Sequence, residues 1–175
     1  MKNYNYEILK SMKLLEMQKN SIFLGQSVEY PGNLIYKTLA KIKNKKKLEL
    51  PVFEDVQMGM SIGLAFEGFL PISTYPRFDF LLLALNQMIN HLDKIPIISN
   101  EQFFPKVIVR VLVGSKIPLN AGEQHTQNYV KQVKEMCKTI NVFDLKKGYQ
   151  VYKSYQKAIK SKKSSLMVEY SEEFK

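Results

Sequence analysis

The chain has 175 residues, 45% of them hydrophobic, enough to bury one substantial core and too few for two full domains. Its longest apolar stretch, Phe78 to Leu85, falls far short of the roughly 20 residues that cross a bilayer, and its start, MKNYNYEILK, has no apolar signal region. The net charge of +10 raises the possibility of nucleic-acid binding, with KIKNKKK at 41–47 as its best support, because clustered cations displace phosphate counterions. Yet Arg77 and Arg110 are the only arginines, and the lysines are spread over every segment. The lysine run therefore reads as a solvated loop or helix end, and neither nucleic acid nor membrane is expected as a partner. One domain over 1–175, soluble and cytoplasmic, is the expectation. Its single cysteine, Cys137, reads as a reduced structural thiol.

Helix-period and strand-period segments alternate along the chain, which predicts an α/β fold with a mainly parallel sheet and helices on both faces. Ile8, Leu9, Met12, Leu15 and Met17 predict an amphipathic helix over 5–18, followed by a short buried strand from Ile22 to Leu24 that ends at Gly25. Pro31-Gly32-Asn33 is a turn, with Asn33 as N-cap of a helix over 34–43. The chain is extended from Leu48 to Phe53, and a helix runs from about Val56 to Phe66, placing Glu54 on a strand-to-helix turn. Further strands are predicted at Leu70–Tyr75, Val107–Val113, Ile140–Leu145 and Leu166–Tyr170. The stretch 78–94 suits a helix buried against the sheet and another chain, while 128–138 and 149–161 are more ordinarily amphipathic.

In open parallel sheets, ligands sit outside the carboxyl ends of the strands. The junctions at Glu54, at Tyr75–Phe80 and in the loop 114–126 are therefore the places to look. No G-x-x-x-x-G-K-[ST], G-x-G-x-x-G or G-x-S-x-G occurs, which removes support for nucleotide cradles and for Ser-His-Asp hydrolysis. Two histidines, His91 and His125, and one cysteine offer little support for a clustered zinc site.

The run LPVFEDVQMGMSIGLAFEGFLPISTYPRFDFLLLALNQMIN at 50–90 resembles the beta subunit of the decarboxylase component of 2-oxo acid dehydrogenases. Shared features are the glutamate after a proline, glycines at 59, 63 and 68, a Leu-Pro entering the next strand, an F-x-F pair and a closing Q-x-I-N. SIFLGQSVEYPGN, VIVRVLVG and EQHTQ extend the resemblance over nearly the whole chain, whereas GSKIPLNAG at 114–122 departs from the family's glycine-rich loop. The resemblance implies a three-layer α/β/α pyrimidine-binding domain of the transketolase type. Its cofactor is thiamine diphosphate, and it implies that Glu54 binds the aminopyrimidine ring nitrogen. A carboxyl sharing a proton there favours the imino tautomer, which prepares the cofactor for proton removal.

The same resemblance places Phe78 and Phe80 beside the pyrimidine, with Phe80 favoured for the stack and Phe78 as support. It places His125, with Gln124 beside it, at the substrate. Arg77 either meets a substrate carboxylate or phosphate or pairs with an acid across a subunit boundary, and the structural role is preferred. Gly59 and Gly63, one turn apart, are expected to permit close helix packing. The family holds diphosphate and Mg2+ with a G-D-G motif that this sequence lacks, which implies an alpha-like partner subunit carrying that site, in an αβ or α2β2 heteromer. The expected activity is cleavage of a 2-oxo acid or ketose with transfer of the acyl or ketol unit to an acceptor, in the manner of acyloin-forming enzymes or transketolase. The alternatives are an oxidative decarboxylase beta subunit, an inactive structural or regulatory relative, and a lysine-rich nucleic-acid-binding module.

Overall fold

A computed structural model describes residues 3–117 and 120–174, so Pro118 and Leu119 of the 114–126 loop lie outside the described residues. The first helix, α1 (Tyr4–Glu16), is capped by Asn3, whose Oδ1 accepts from the Tyr6 N–H at 2.9 Å. After β1 (Ser21–Gly25), Asn33 caps α2 (Leu34–Leu39) as expected, accepting from Tyr36 N–H at 3.1 Å. This helix stops at Leu39 rather than running to 43. Tertiary contacts pull the chain away, with Ile42 buried and Lys43 N–H donating to Glu16 Oε1 at 2.8 Å.

The extended segment expected at 48–53 contributes only β2 (Lys47–Glu49) to the sheet. Leu50 N–H still donates to the Gly25 carbonyl, but Pro51 has no N–H to continue the ladder. Helix α3 (Glu54–Phe66) then begins at Glu54 itself, and β3 (Leu70–Tyr75) has the predicted bounds.

The stretch expected to form one helix over 78–94 is a chain of different turns: α4 (Phe78–Leu81), a 3-10 turn at Leu82–Ala84 and a π-helical segment at Asn86–Leu92. From Ala84 on, its buried hydrophobic residues Ala84, Met88 and Leu92 recur every fourth position. Such a stripe drifts around a regular 3.6-residue helix, and the wider turn keeps it facing the sheet. There follow α5 (Ile95–Ile98), β4 (Ile108–Val113), α6 (Val130–Met136), β5 (Asn141–Asp144), α7 (Gly148–Lys160) and β6 (Ser165–Tyr170).

Every strand pairing is parallel, and the order across the sheet is β2-β1-β3-β4-β6-β5. Alternation along each strand divides the core into two layers. Phe23, Ile72, Ile108, Leu112 and Met167 face α1, α2 and α7. Tyr75, Val109, Val111, Leu166 and Val168 face α3, α4, the 82–92 turns and α6. This is the three-layer α/β/α arrangement that alternation and resemblance both predicted. Among the described residues, no helix is long and apolar enough to cross a membrane.

Candidate active site

The chain runs outward from β1 to β2, then returns to place β3 on the other side of β1. That reversal opens a crevice at the carboxyl ends of β1 and β3, the position where open α/β sheets bind ligands. Gly25 closes β1 at φ +138°, and a Cβ there would lie 2.3 Å from the Thr74 carbonyl oxygen of β3, so the strands converge only because this residue is glycine. The next residue, Gln26, donates from Nε2 to Glu54 Oε1 at 3.1 Å.

Glu54 opens α3 with 5% of its surface exposed. Its backbone carbonyl accepts from the Tyr75 hydroxyl at 3.3 Å, and burial holds that phenol well above its usual range, so it remains a donor. One turn on, Gln57 Nε2 donates to Ser73 Oγ and to the Thr74 carbonyl, both at 3.1 Å. Its Oε1 is buried without a partner. A mostly buried carboxylate is thus held by an amide donor and a fixed helix start at the mouth of the crevice.

The turn after β3 sends successive side chains in different directions. Phe78 is fully buried, with its ring edge-to-face on Tyr129 at a centroid distance of 5.6 Å. Phe80 is only partly buried and meets the His125 ring edge-to-face at 5.5 Å and 82°. Phe80, Gln124 and His125 line a cavity of about 520 Å³ together with Asp79, Leu83 and Tyr129. Gly114, at the end of β4, makes this possible: a Cβ there would lie 1.9 Å from the His125 carbonyl oxygen. His125 Nδ1 lies 2.8 Å from the Gln124 carbonyl, which fixes the ring's orientation.

Arg77 stands apart from that cavity. Its Nη1 donates to the Pro76 carbonyl at 2.7 Å, while its Nε is buried without a hydrogen bond. Burial lowers its proton affinity, and the nearby Asp79 opposes that shift. Among the described residues Arg77 forms no ion pair within 4.0 Å.

The structure therefore gathers Phe80, Gln124 and His125 around one cavity, puts Phe78 in the core behind them, and holds Glu54 at the β1–β3 crevice. Gln26 went unnoticed in the sequence. Its place directly after a strand-ending glycine was the available signal, but its partner lies 28 residues away. Gly59 and Gly63 do not serve close packing within the chain. A Cβ at Gly59 would come no nearer than 3.9 Å to Gln87, and none of the described residues lies within 4 Å of one at Gly63. Both belong to a helix whose outward residues Val56, Met60 and Phe66 are exposed. Among the described residues, no group of three or more His, Cys, Asp or Glu is placed to hold a metal ion.

Sheet order, helical layers and a carboxyl-edge site define an α/β domain of the transketolase type. A solved structure described as a split gene transketolase, inactive beta4 tetramer, superposes over 96% of this chain and 49% of its own, with TM-score 0.67 and 14% identity. In sequence, the chain is 30% identical over 128 residues to a pyruvate dehydrogenase E1 component subunit beta of Gracilaria tenuistipitata var. liui, covering 70% of this chain and 39% of that protein. It is 32% identical over 107 residues to a chloroplastic pyruvate dehydrogenase E1 component subunit beta-3 of Arabidopsis thaliana, covering 59% of this chain and 26% of that one. It is 28% identical over 107 residues to the 2-oxoisovalerate dehydrogenase subunit beta of Bacillus subtilis (strain 168), covering 58% and 33%. No family model matches. The chain is thus similar in sequence to 2-oxo acid dehydrogenase beta subunits and in fold to that split gene transketolase, and it spans between a quarter and two fifths of these curated relatives' length.

Proposed function

We propose that this chain is the pyrimidine-binding half of a two-chain thiamine diphosphate enzyme that cleaves a 2-oxo acid or ketose and passes the acyl or ketol unit to an acceptor. The observation that carries the reading is the Glu54 carboxylate, buried at the β1–β3 crevice with Gln26 on Oε1. This donor set fits an aminopyrimidine. A carboxylate aligned by one amide has an oxygen to offer a ring nitrogen, and Phe80 offers a partly exposed aromatic face. When bound, the cofactor supplies a carbon nucleophile. Glu54 holds or releases the proton at the ring nitrogen, Phe80 orients the ring with Phe78 supporting it from the core, and His125 with Gln124 meets the substrate.

The Mg2+ and diphosphate belong, on this reading, to an alpha-like partner subunit in an αβ or α2β2 assembly working in the cytoplasm. Support for a partner comes from the apolar surface next to Glu54, where Val52, Phe53 and Val56 are 76%, 60% and 47% exposed and Leu83 is 64% exposed. The test is reconstitution with a partner chain that carries G-D-G, thiamine diphosphate and Mg2+. Turnover should require both chains, and Glu54→Gln should lower it by about 100-fold or more. A loss of only a few-fold overturns the assignment. Comparing an aldehyde acceptor with an artificial electron acceptor separates carbon–carbon transfer from oxidative decarboxylation.

A further inference from the structure

At the edge of the sheet farthest from β2, strand β5 pairs with β6 and has no strand on its other side. The N–H groups of Asn141 and Leu145 donate to the carbonyls of Ser164, just before β6, and Val168 within it, at 3.0 and 2.9 Å. Peptide groups alternate in direction along a strand, so the N–H groups of Val142 and Asp144 point the other way, to the open edge. Both residues are only partly buried, and the edge offers a short ladder of unmet donors and acceptors. A groove of about 530 Å³ follows it, walled by both helical layers: Lys134 comes from α6 on one face, Lys153 and Lys157 from α7 on the other. An adjoining cavity of about 490 Å³ shares Lys134 and adds Lys131. All four lysines are exposed, and among the described residues none has an acid within 4.0 Å. Asp144 is the sole carboxylate among the described residues lining either space, and Lys146, at 3.3 Å, and the Tyr170 hydroxyl already engage it. Tyr149, 61% exposed, adds an aromatic surface to the groove.

Lysines beside an edge strand commonly guard it against pairing. Here they guard it against one kind of strand. A second copy of this chain, with a net charge of +10 and the same lysines, is repelled. A strand bearing carboxylates is attracted, and because its side chains alternate between the two faces of the sheet it meets cations on both. We propose that the β5 edge is a docking site for an extended, acidic segment of another protein, added to the six-stranded sheet with its carboxylates between the α6 and α7 lysines. Strands β4 and β6 separate this edge from the β1–β3 crevice, so the inference is independent of the cofactor reading.

The test follows the full chain by NMR as it is titrated with a capped octapeptide of Glu, Thr and Val carrying four glutamates. Pentathymidylate, matched to it in charge, is titrated at the same ionic strength. The peptide should bind saturably and slow hydrogen exchange of the Val142 and Asp144 N–H groups about 10-fold or more, while Asn141 and Leu145, already bonded to β6, change little. Lys134→Gln combined with Lys153→Gln, both at exposed positions, should weaken the peptide about five-fold or more. The absence of saturable binding, or a double variant that binds as the parent does, overturns the proposal. So does binding that leaves exchange at Val142 and Asp144 unchanged, which denies strand addition. Equal or tighter binding of pentathymidylate would assign the lysines to nucleic acid instead. Exchange at these two groups that slows as the chain alone is concentrated would give the edge to a second copy, and it too overturns the proposal.

Discussion

Two phenylalanines two positions apart behave as different residues. Phe78 is sealed in the core against Tyr129, and Phe80 stands at a cavity wall against His125. Their substitutions should therefore fail in different assays. Phe78→Ala empties a packed position and should cost about 3–5 kcal/mol in urea unfolding. Phe80→Ala should leave the unfolding midpoint nearly unchanged and, on the proposed function, weaken thiamine diphosphate binding to the paired chains by about 3- to 10-fold, the scale of one lost aromatic contact. Equal affinities in calorimetry would remove Phe80 from the cofactor site. The F-x-F spacing alone could not separate the two, because the direction of each ring depends on the turn that α4 makes after β3.

At the scale of elements, Asp93 joins the end of the π-helical segment to the loop before β5. Fully buried, it accepts from the N–H groups of Lys138, Thr139 and Ile140 at 2.7–3.0 Å and pairs with Lys94. Burial alone would raise its pKa, but the Lys94 ammonium and the three N–H groups outweigh it and leave the carboxyl below its usual range. A depressed folded-state pKa contributes stability that is complete above the unfolded-state value and lost as pH falls through the folded one. Asp93→Asn should cost about 1–3 kcal/mol at pH 7, because a neutral amide presents one acceptor to several donors. That gap should persist down to about pH 4 and shrink below it, once the parent's own carboxyl protonates. Urea midpoints for both chains at pH 7 and pH 3 check this, and a gap that widens in acid would refute it. The sequence places Asp93 in an apolar helix and offers no sign of donors 45–47 positions away.

At the scale of the molecule, the sheet is tied to its α1/α2/α7 layer by a polar cluster inside that layer's core. Arg110 of β4 donates from Nε and Nη2 to both oxygens of Glu169 on β6, at 2.9 and 2.8 Å, and its guanidinium also reaches Thr38 of α2. Tyr155 of α7 donates to the same carboxylate. Burial alone would weaken the hold of Arg110 on its proton, but the Glu169 carboxylate outweighs it and raises its proton affinity above the usual range. Arg110→Met should destabilise the chain by about 3–5 kcal/mol by stranding a buried carboxylate, while Arg110→Met with Glu169→Leu should recover most of the loss. Additive losses in the double variant would show that the two act independently. A single cooperative transition in these experiments would also support reading 1–175 as one domain, since the cluster couples strands and helices from both halves of the chain.

Much of the architecture was legible because it is written locally. Period-two and period-3.6 apolar patterns set strand and helix type, Asn33 announced its cap, and the bounds of β3 emerged residue for residue. The run at 50–90 with Glu54 and Phe80, and EQHTQ with His125, mark out a candidate site through their resemblance to a known family. What required tertiary structure is everything that depends on partners distant in sequence: Gln26 on Glu54, Arg110 on Glu169, Asp93 on the 138–140 loop, and the cavity that joins Phe80 to His125. The physical reason is that composition and spacing record how a side chain sits on its own element. Whether a buried charge finds its counter-charge, or a ring faces core or cavity, is settled only when elements from different parts of the chain pack on one another.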